Sequence, residues 1–227
     1  MSLNPMNQTA PRAARLLLAL VLLASLICPG FAQAREVRVG VYNNEPKILL
    51  GPDGQPSGIL GDLLGEIARR ETWTLTAFPG AWQECLDALE KGQIDLMPDV
   101  AYNEKRAVLF DFHQTPALHS WSALYHPAST QLSSFLDLRN KRIAVLKGSI
   151  QQTYLQELLN GFGVHAQLVA VDNLEKGFSM AARGEVDAAV ANRFFGDLEA
   201  ARFKLSESAL MFRSEERRVG KECRSRW

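Results

Sequence analysis

The chain has 227 residues, 47% hydrophobic and 22% charged, with 25 basic and 25 acidic side chains and a formal net charge of zero. That length allows one or two domains with a sizeable core. The neutral total hides unlike parts: Met1 to Ala34 has two arginines and no acid, the last 14 residues have five bases and three acids, and the stretch between keeps 18 bases against 22 acids. A mildly acidic body gives no electrostatic case for a nucleic-acid partner.

Arg12 and Arg15 precede an apolar run from Leu16 to Ile27, and Ala32-Gln33-Ala34 follows. A charged start, a short apolar stretch and a small-x-small ending predict a secretory signal peptide cut after Ala34, with an uncleaved membrane anchor as the competing reading. The bulky Ile27 before Cys28 speaks against a lipid-modified cysteine. The mature chain is therefore expected in the periplasm, or tethered to the membrane that faces it. Only Cys85 of the three cysteines belongs to the mature body, so no internal disulfide is expected. It shares an apolar helical face with Trp82 and Leu86, the setting of a buried structural thiol.

Val37 to Val41 reads as a first strand, followed by Tyr42-Asn43-Asn44-Glu45-Pro46 at its C-terminal end and a Gly51 to Gly54 turn. Leu60, Leu63, Leu64 and Ile67 mark a helix, Thr74 to Phe78 a second strand and Ala81 to Lys91 a second helix. Gly92 sits where a left-handed C-cap is expected. Ile94 to Met97 is a short buried strand that Pro98, which has no N–H to donate, is expected to end. Asp99, Tyr102, Asn103 and Arg106 leave that strand at its C-terminal edge, where open α/β sheets bind ligands. Trp121 to Tyr125 should cross between two lobes. Lys141 to Leu146 starts a new sheet and ends in Lys147-Gly148-Ser149, with a helix from Gln151 to Asn160. Ser149 stands where free helix N–H groups would meet an anion, although a plain N-cap serine explains the same letters. Ala166 to Val171 is a strand and Leu174 to Arg183 a helix. Gly184-Glu185-Val186-Asp187 then repeats Gly92-Gln93-Ile94-Asp95, with Asn192 and Arg193 at the second strand exit.

The helix, K-G-x-I-D, the strand and the following E-K-R-x-x-x-F-D-F resemble lobe 1 of the family 3 periplasmic solute-binding proteins. The variant M-P-D-V-A-Y-N-E-K-R, with S-W-S at Ser120 to Ser122, is most similar to the binding domains at the front of bacterial sensor kinases. The likeness covers roughly Glu36 to Phe212. It implies an α/β, two-lobed type 2 periplasmic-binding fold, with lobe 1 over residues 35–126, lobe 2 from 127 to 213 and a hinge between them. It implies that Arg106 clamps a ligand carboxylate, although Asn103 stands where the family has threonine. It implies that Tyr42, Trp82, Asp99, Tyr102, Ser149, Gln151 and Asn192 line the ligand site, Tyr42 with a surface-loop reading beside it and Trp82 with a core reading. The amino-acid binders of the family carry aspartate at the position of Asn192, so a carboxylate-bearing or other anionic solute lacking an essential ammonium is expected here.

The function expected is binding without chemistry and without a cofactor. The partners expected are a small solute and either a membrane signalling module of the histidine-kinase type or an ABC permease. A dehydratase on the same fold is the alternative from another class. Asp99 is the one acid to nominate for it, since His113, His119, His126 and His165 show neither metal nor dyad spacing. From Ser214 onward the sequence resembles translated sequencing-adapter read-through, shows no apolar periodicity and is expected to close no element. The family's return strand and final helix are expected to be missing, leaving the fold truncated.

Overall fold

The computed structural model describes residues 34–221. The signal-peptide features, Cys28 and Cys223 lie outside the described residues. Among the described residues no helix is long and apolar enough to cross a membrane.

The first lobe is a β-α-β-α-β unit: β1 (Arg35–Val41), α1 (Ile59–Glu71), β4 (Trp73–Pro79), α2 (Trp82–Glu90) and β5 (Leu96–Ala101). A two-stranded ribbon of β2 (Leu49–Leu50) and β3 (Pro56–Ser57) sits in the first connection. The second lobe repeats the unit with β8 (Arg142–Leu146), α4 (Ile150–Gly161), β9 (Gln167–Val171), α5 (Leu174–Ala182) and β10 (Ala188–Asn192). Between the units lie α3 (Glu104–Leu109), β6 (Asp111–Phe112) and β7 (Leu118–Pro127). After them come α6 (Arg193–Glu199) and β11 (Leu205–Lys221). The nine-stranded sheet has the order β4-β1-β5-β11-β7-β10-β8-β9, with β6 beside β11. Each lobe therefore places its three parallel strands in the order second-first-third, and β7 and β11 bridge the halves as an antiparallel pair.

Both units close their second helix the same way. Gly92 and Gly184 take φ of 67° and 71°, a conformation open to glycine because it lacks Cβ. The next backbone N–H reaches back to Ala88 O at 2.8 Å in one lobe and to Met180 O at 2.9 Å in the other. Asp95 and Asp187 then pin the first strand of their unit. Asp95 accepts from Arg38 N at 2.8 Å, and Asp187 from Arg142 N at 2.7 Å. One apolar cluster runs along both lobes and includes Val39, Cys85, Leu89, Phe178 and Ala189. A second cluster around Leu124, Leu155 and Ile143 belongs to the second lobe.

Two expectations are corrected. Pro98 does not end its strand; β5 runs on to Ala101. The partner strand makes room for it, because the β11 ladder shifts register between Arg218 and Gly220, opposite the gap from Met97 to Val100. No ladder bond is then asked of the proline, and Asp99 takes φ of 63° within that gap. Ser214–Lys221, expected to close no element, is the last part of β11. It pairs with β7, β5 and β6 and carries the chain back to the first lobe. Backbone pairing needs only an extended segment with N–H and C=O groups to offer, so it does not require apolar periodicity.

Candidate functional site

The C-terminal ends of β1, β5, β8 and β10 converge between the lobes. Tyr42 and Asn44 follow β1, Asp99 lies near the end of β5, Leu146 and Ser149 follow from β8, and Asn192 ends β10. Five of these residues, Tyr42, Asn44, Leu146, Ser149 and Asn192, line a cavity of about 10 Å³ together with Trp82, Gln151 and Leu174 from the helix starts. That is room for about one water, against several hundred Å³ in a site holding a drug-sized molecule. The cavity as it stands is too small for a solute.

Two hydrogen bonds tie the lobes across this cleft. Asn192 Nδ2 donates to Asn44 Oδ1 at 2.9 Å, and Arg106 Nη2 donates to Gly148 O at 3.1 Å. Arg106 is held from below by Ala101 O at 3.0 Å and stacks over Trp82, its Cζ 5.4 Å from the ring centroid. Its helix starts at Asn103, whose Oδ1 accepts from Arg106 N at 2.7 Å. Asparagine caps a helix as well as threonine does, so the departure from the family pattern keeps the local geometry. Arg106 thus sits at the mouth, bridging the lobes, rather than among the residues of the cavity wall.

Asp99 lies deeper. Its carboxylate is fully buried and accepts from Tyr42 OH, from Asn44 Nδ2 at 2.6 Å and from Lys47 Nζ at 2.8 Å. Lys47 and Asp99 side chains are both 0% exposed. Removing two charges from water is tolerated only with close pairing and further hydrogen bonds, which this cluster supplies. Asp99 stands behind Tyr42 and Asn44 rather than on the wall itself. In the second lobe, Ser149 caps α4 by accepting from Gln152 N at 3.2 Å, so the plain capping role holds while the residue also lines the cavity. Asn192 caps α6 in the same manner through Phe195 N at 3.2 Å.

Trp82 is 2% exposed in the core and also lines the cavity, 4.9 Å edge-on to Tyr42. Its Nε1 is buried without a hydrogen-bond partner. Tyr102 is 38% exposed, packs edge-on against Phe112 and is not among the lining residues. Asn44, Lys47, Leu146 and Leu174 escaped the sequence reading. Asn44 could have been found, since it lies two residues beyond Tyr42 at a strand end. Lys47 gives no sign of burial in P-K-I-L-L.

A larger groove of about 600 Å³ lies against the second apolar cluster, lined by Phe135, Tyr154, Leu158, Phe162, Met211 and Phe212 among others. It lacks the convergence of strand ends and buried polar groups that marks the cleft. Among the described residues no cluster of histidine, cysteine or acid could hold a metal.

The fold is shared widely. A histidine kinase sensor domain with similarity to periplasmic binding proteins matches with a TM-score of 0.73 and 22% identity, over 85% of this chain and 83% of that one. An ancestral arginine-binding protein bound to arginine matches at 0.74 and 20%, over 84% and 85%. A putative L-cystine ABC transporter protein from Listeria monocytogenes matches at 0.75 and 16%, over 85% and 84%. No curated protein sequence matches. The model of the NMT1/THI5-like family matches residues 115–217. That of the bacterial extracellular solute-binding proteins, family 3, matches residues 37–152. The second stretch is half of the chain and holds Tyr42, Asn44, Lys47, Trp82, Asp99, Arg106 and Ser149, the first-lobe wall and the start of the second. The chain belongs to the bacterial extracellular solute-binding proteins, family 3.

Proposed function

We propose that this domain closes on a small anionic solute at the strand-end cleft, with β7 and β11 as the hinge, and passes the closure to a membrane signalling module of the histidine-kinase type. The observation that carries this reading is the pair of lobe-crossing hydrogen bonds, Asn44 to Asn192 and Arg106 to Gly148, around a cavity too small for a solute. A ligand would replace these contacts with its own. Arg106 moves only a short way from a backbone carbonyl to a carboxylate, for which its planar fork is suited. Ser149 and the start of α4 would take the same anion from the other lobe. No step in this function alters the ligand. The S-W-S segment in β7 supports the sensor branch; the free periplasmic component of an ABC transporter is the second reading, supported by the likeness to the cystine protein. A dehydratase is the weaker third, because Asp99 is already committed to Lys47, Tyr42 and Asn44.

A thermal-shift panel of mono- and dicarboxylates against standard amino acids tests the solute class. Carboxylates without an ammonium are expected to stabilise the protein most; selective stabilisation by one α-amino acid would overturn that. Arg106→Ala is expected to weaken the best carboxylate by about 2–5 kcal/mol in calorimetric titration, the usual cost of truncating one partner of a buried charge pair. Unchanged affinity with the fold intact would remove Arg106 from the site.

A further inference from the structure

We propose that Lys47 is the specificity-determining residue of the cleft: its ammonium occupies the Asp99 carboxylate behind the wall, so a solute's own ammonium is refused there. The inference rests on the solute-binding reading above and names the residue that sets its selectivity.

Lys47 is built into place. Its N–H donates to Asn44 O at 2.9 Å, and its carbonyl accepts from Leu60 N at 2.8 Å, at the start of α1. The side chain is wholly buried and ends 2.8 Å from Asp99 Oδ1. The other carboxylate oxygen takes Tyr42 OH and Asn44 Nδ2. Asn44 Nδ2 also reaches the Tyr42 oxygen at 2.8 Å. Both partners of that amide nitrogen can accept, and a carboxylate can only accept, so the orientation of Asn44 follows from chemistry. Its carbonyl oxygen must face the cleft, where it meets Asn192 Nδ2.

The pattern shown to a solute follows. The wall offers the Trp82 indole N–H, which is buried and lacks a partner, and the Asn192 amide, which is 1% exposed. Its acceptors, the Asn44 carbonyl with the Ser149 hydroxyl and the Gln151 amide oxygen, are all neutral. An ammonium entering here would exchange water for neutral oxygens alone, whereas hydrogen bonds with a full counter-charge are roughly twice as strong. An oxygen-rich anion meets donors instead. Removing the Lys47 ammonium would return Asp99 to the role of counter-charge.

The test compares the chain with Lys47→Ala and with Lys47→Ala/Asp99→Asn. Alanine leaves space for n-propylammonium, which replaces the deleted atoms. In Lys47→Ala, n-propylammonium chloride should raise the melting temperature by several degrees over sodium chloride at equal ionic strength. It should do so in neither the unaltered chain nor the double variant. The shift produced by L-alanine relative to that by L-lactate, which differ by ammonium against hydroxyl, should also rise in Lys47→Ala. If Lys47→Ala folds only with n-propylammonium present, that is the same rescue. No rescue, whether Lys47→Ala folds in both salts or in neither, shows that an outside ammonium cannot reach Asp99 and overturns the proposal. An unchanged alanine-to-lactate ratio overturns it too. The rescue does not depend on the natural solute, so its failure strikes Lys47 alone; failure of every carboxylate to stabilise the unaltered chain strikes the binding reading.

Discussion

The two strand exits, β5 in the first lobe and β10 in the second, come from one repeated device and end differently, one in a buried ion pair and one in a neutral amide. The backbone bonds from Gly92 N to Leu89 O, Gln93 N to Ala88 O and Asp95 N to Arg38 O recur as Gly184 N to Ala181 O, Glu185 N to Met180 O and Asp187 N to Arg142 O. Arg38 donates to Gly92 O at 3.0 Å as Arg142 does to Gly184 O at 3.1 Å. Trp82 and Leu174, equivalent in this register, both line the cleft. Even the close helix–strand contact is kept with its members exchanged: Gly40 on the strand faces Cys85 on the helix, and Ala144 faces Gly177. Four residues after its aspartate, the first exit places Asp99 in a buried ion pair. Five residues after its own, the second places the neutral Asn192, which caps a helix. A shared scaffold can thus aim strand ends at a cleft while single substitutions set what each end offers.

The comparison can be broken most forcefully at Asp99. Asp99→Ala leaves the Lys47 ammonium buried without its carboxylate and should cost about 3–5 kcal/mol in denaturant unfolding. A loss below about 1 kcal/mol would mean the pair is not what holds the first exit. At the exchanged glycines the two lobes should respond with opposite signs. A Cβ on Gly40 would lie 2.7 Å from Ile94 Cδ1, so Gly40→Ala should destabilise by about 1–3 kcal/mol. On Gly177 the nearest atom is Ala144 Cβ at 3.4 Å, an ordinary contact, so Gly177→Ala should be neutral or gain up to about 1 kcal/mol from helix propensity. Equal losses at both would refute the exchange.

Asn192→Ala removes a helix cap and one lobe-crossing amide contact, and about 1–2 kcal/mol is expected in the same unfolding measurement. A cost as large as that of Asp99→Ala would erase the asymmetry of the exits. The smallest effect concerns Cys85, which has glycine as its counterpart. Burial, and next the nearby Glu84 charge, push its thiol from 9.0 up to about 11. The folded thiol keeps its proton to higher pH than the unfolded one, so the stability it carries is complete below pH 9 and is lost as pH rises toward 11. At pH 10 the loss is about 1 kcal/mol, to be read as the difference in alkaline unfolding between the chain and Cys85→Ala.

Much of this was legible in the sequence for a local reason. Alternating and helical apolar periods, and a glycine before each buried strand, follow from backbone geometry that neighbouring residues decide. They located both β-α-β-α-β units, the strand exits and Arg106. The family pattern then pointed to Tyr42, Trp82, Ser149, Gln151 and Asn192, all of which the fold brings to one cavity.

What the sequence could not decide is what each side chain meets across the chain. Nothing in P-K-I-L-L separates a solvated lysine from one sealed against a carboxylate 52 positions away. Pro98 reads as a stop until the partner strand supplies a register shift opposite it. Period and turn chemistry are summed over neighbours and survive in the sequence. An ion pair, a bulge or a lobe-crossing amide depends on residues far apart along the chain, and only the folded arrangement fixes their distances.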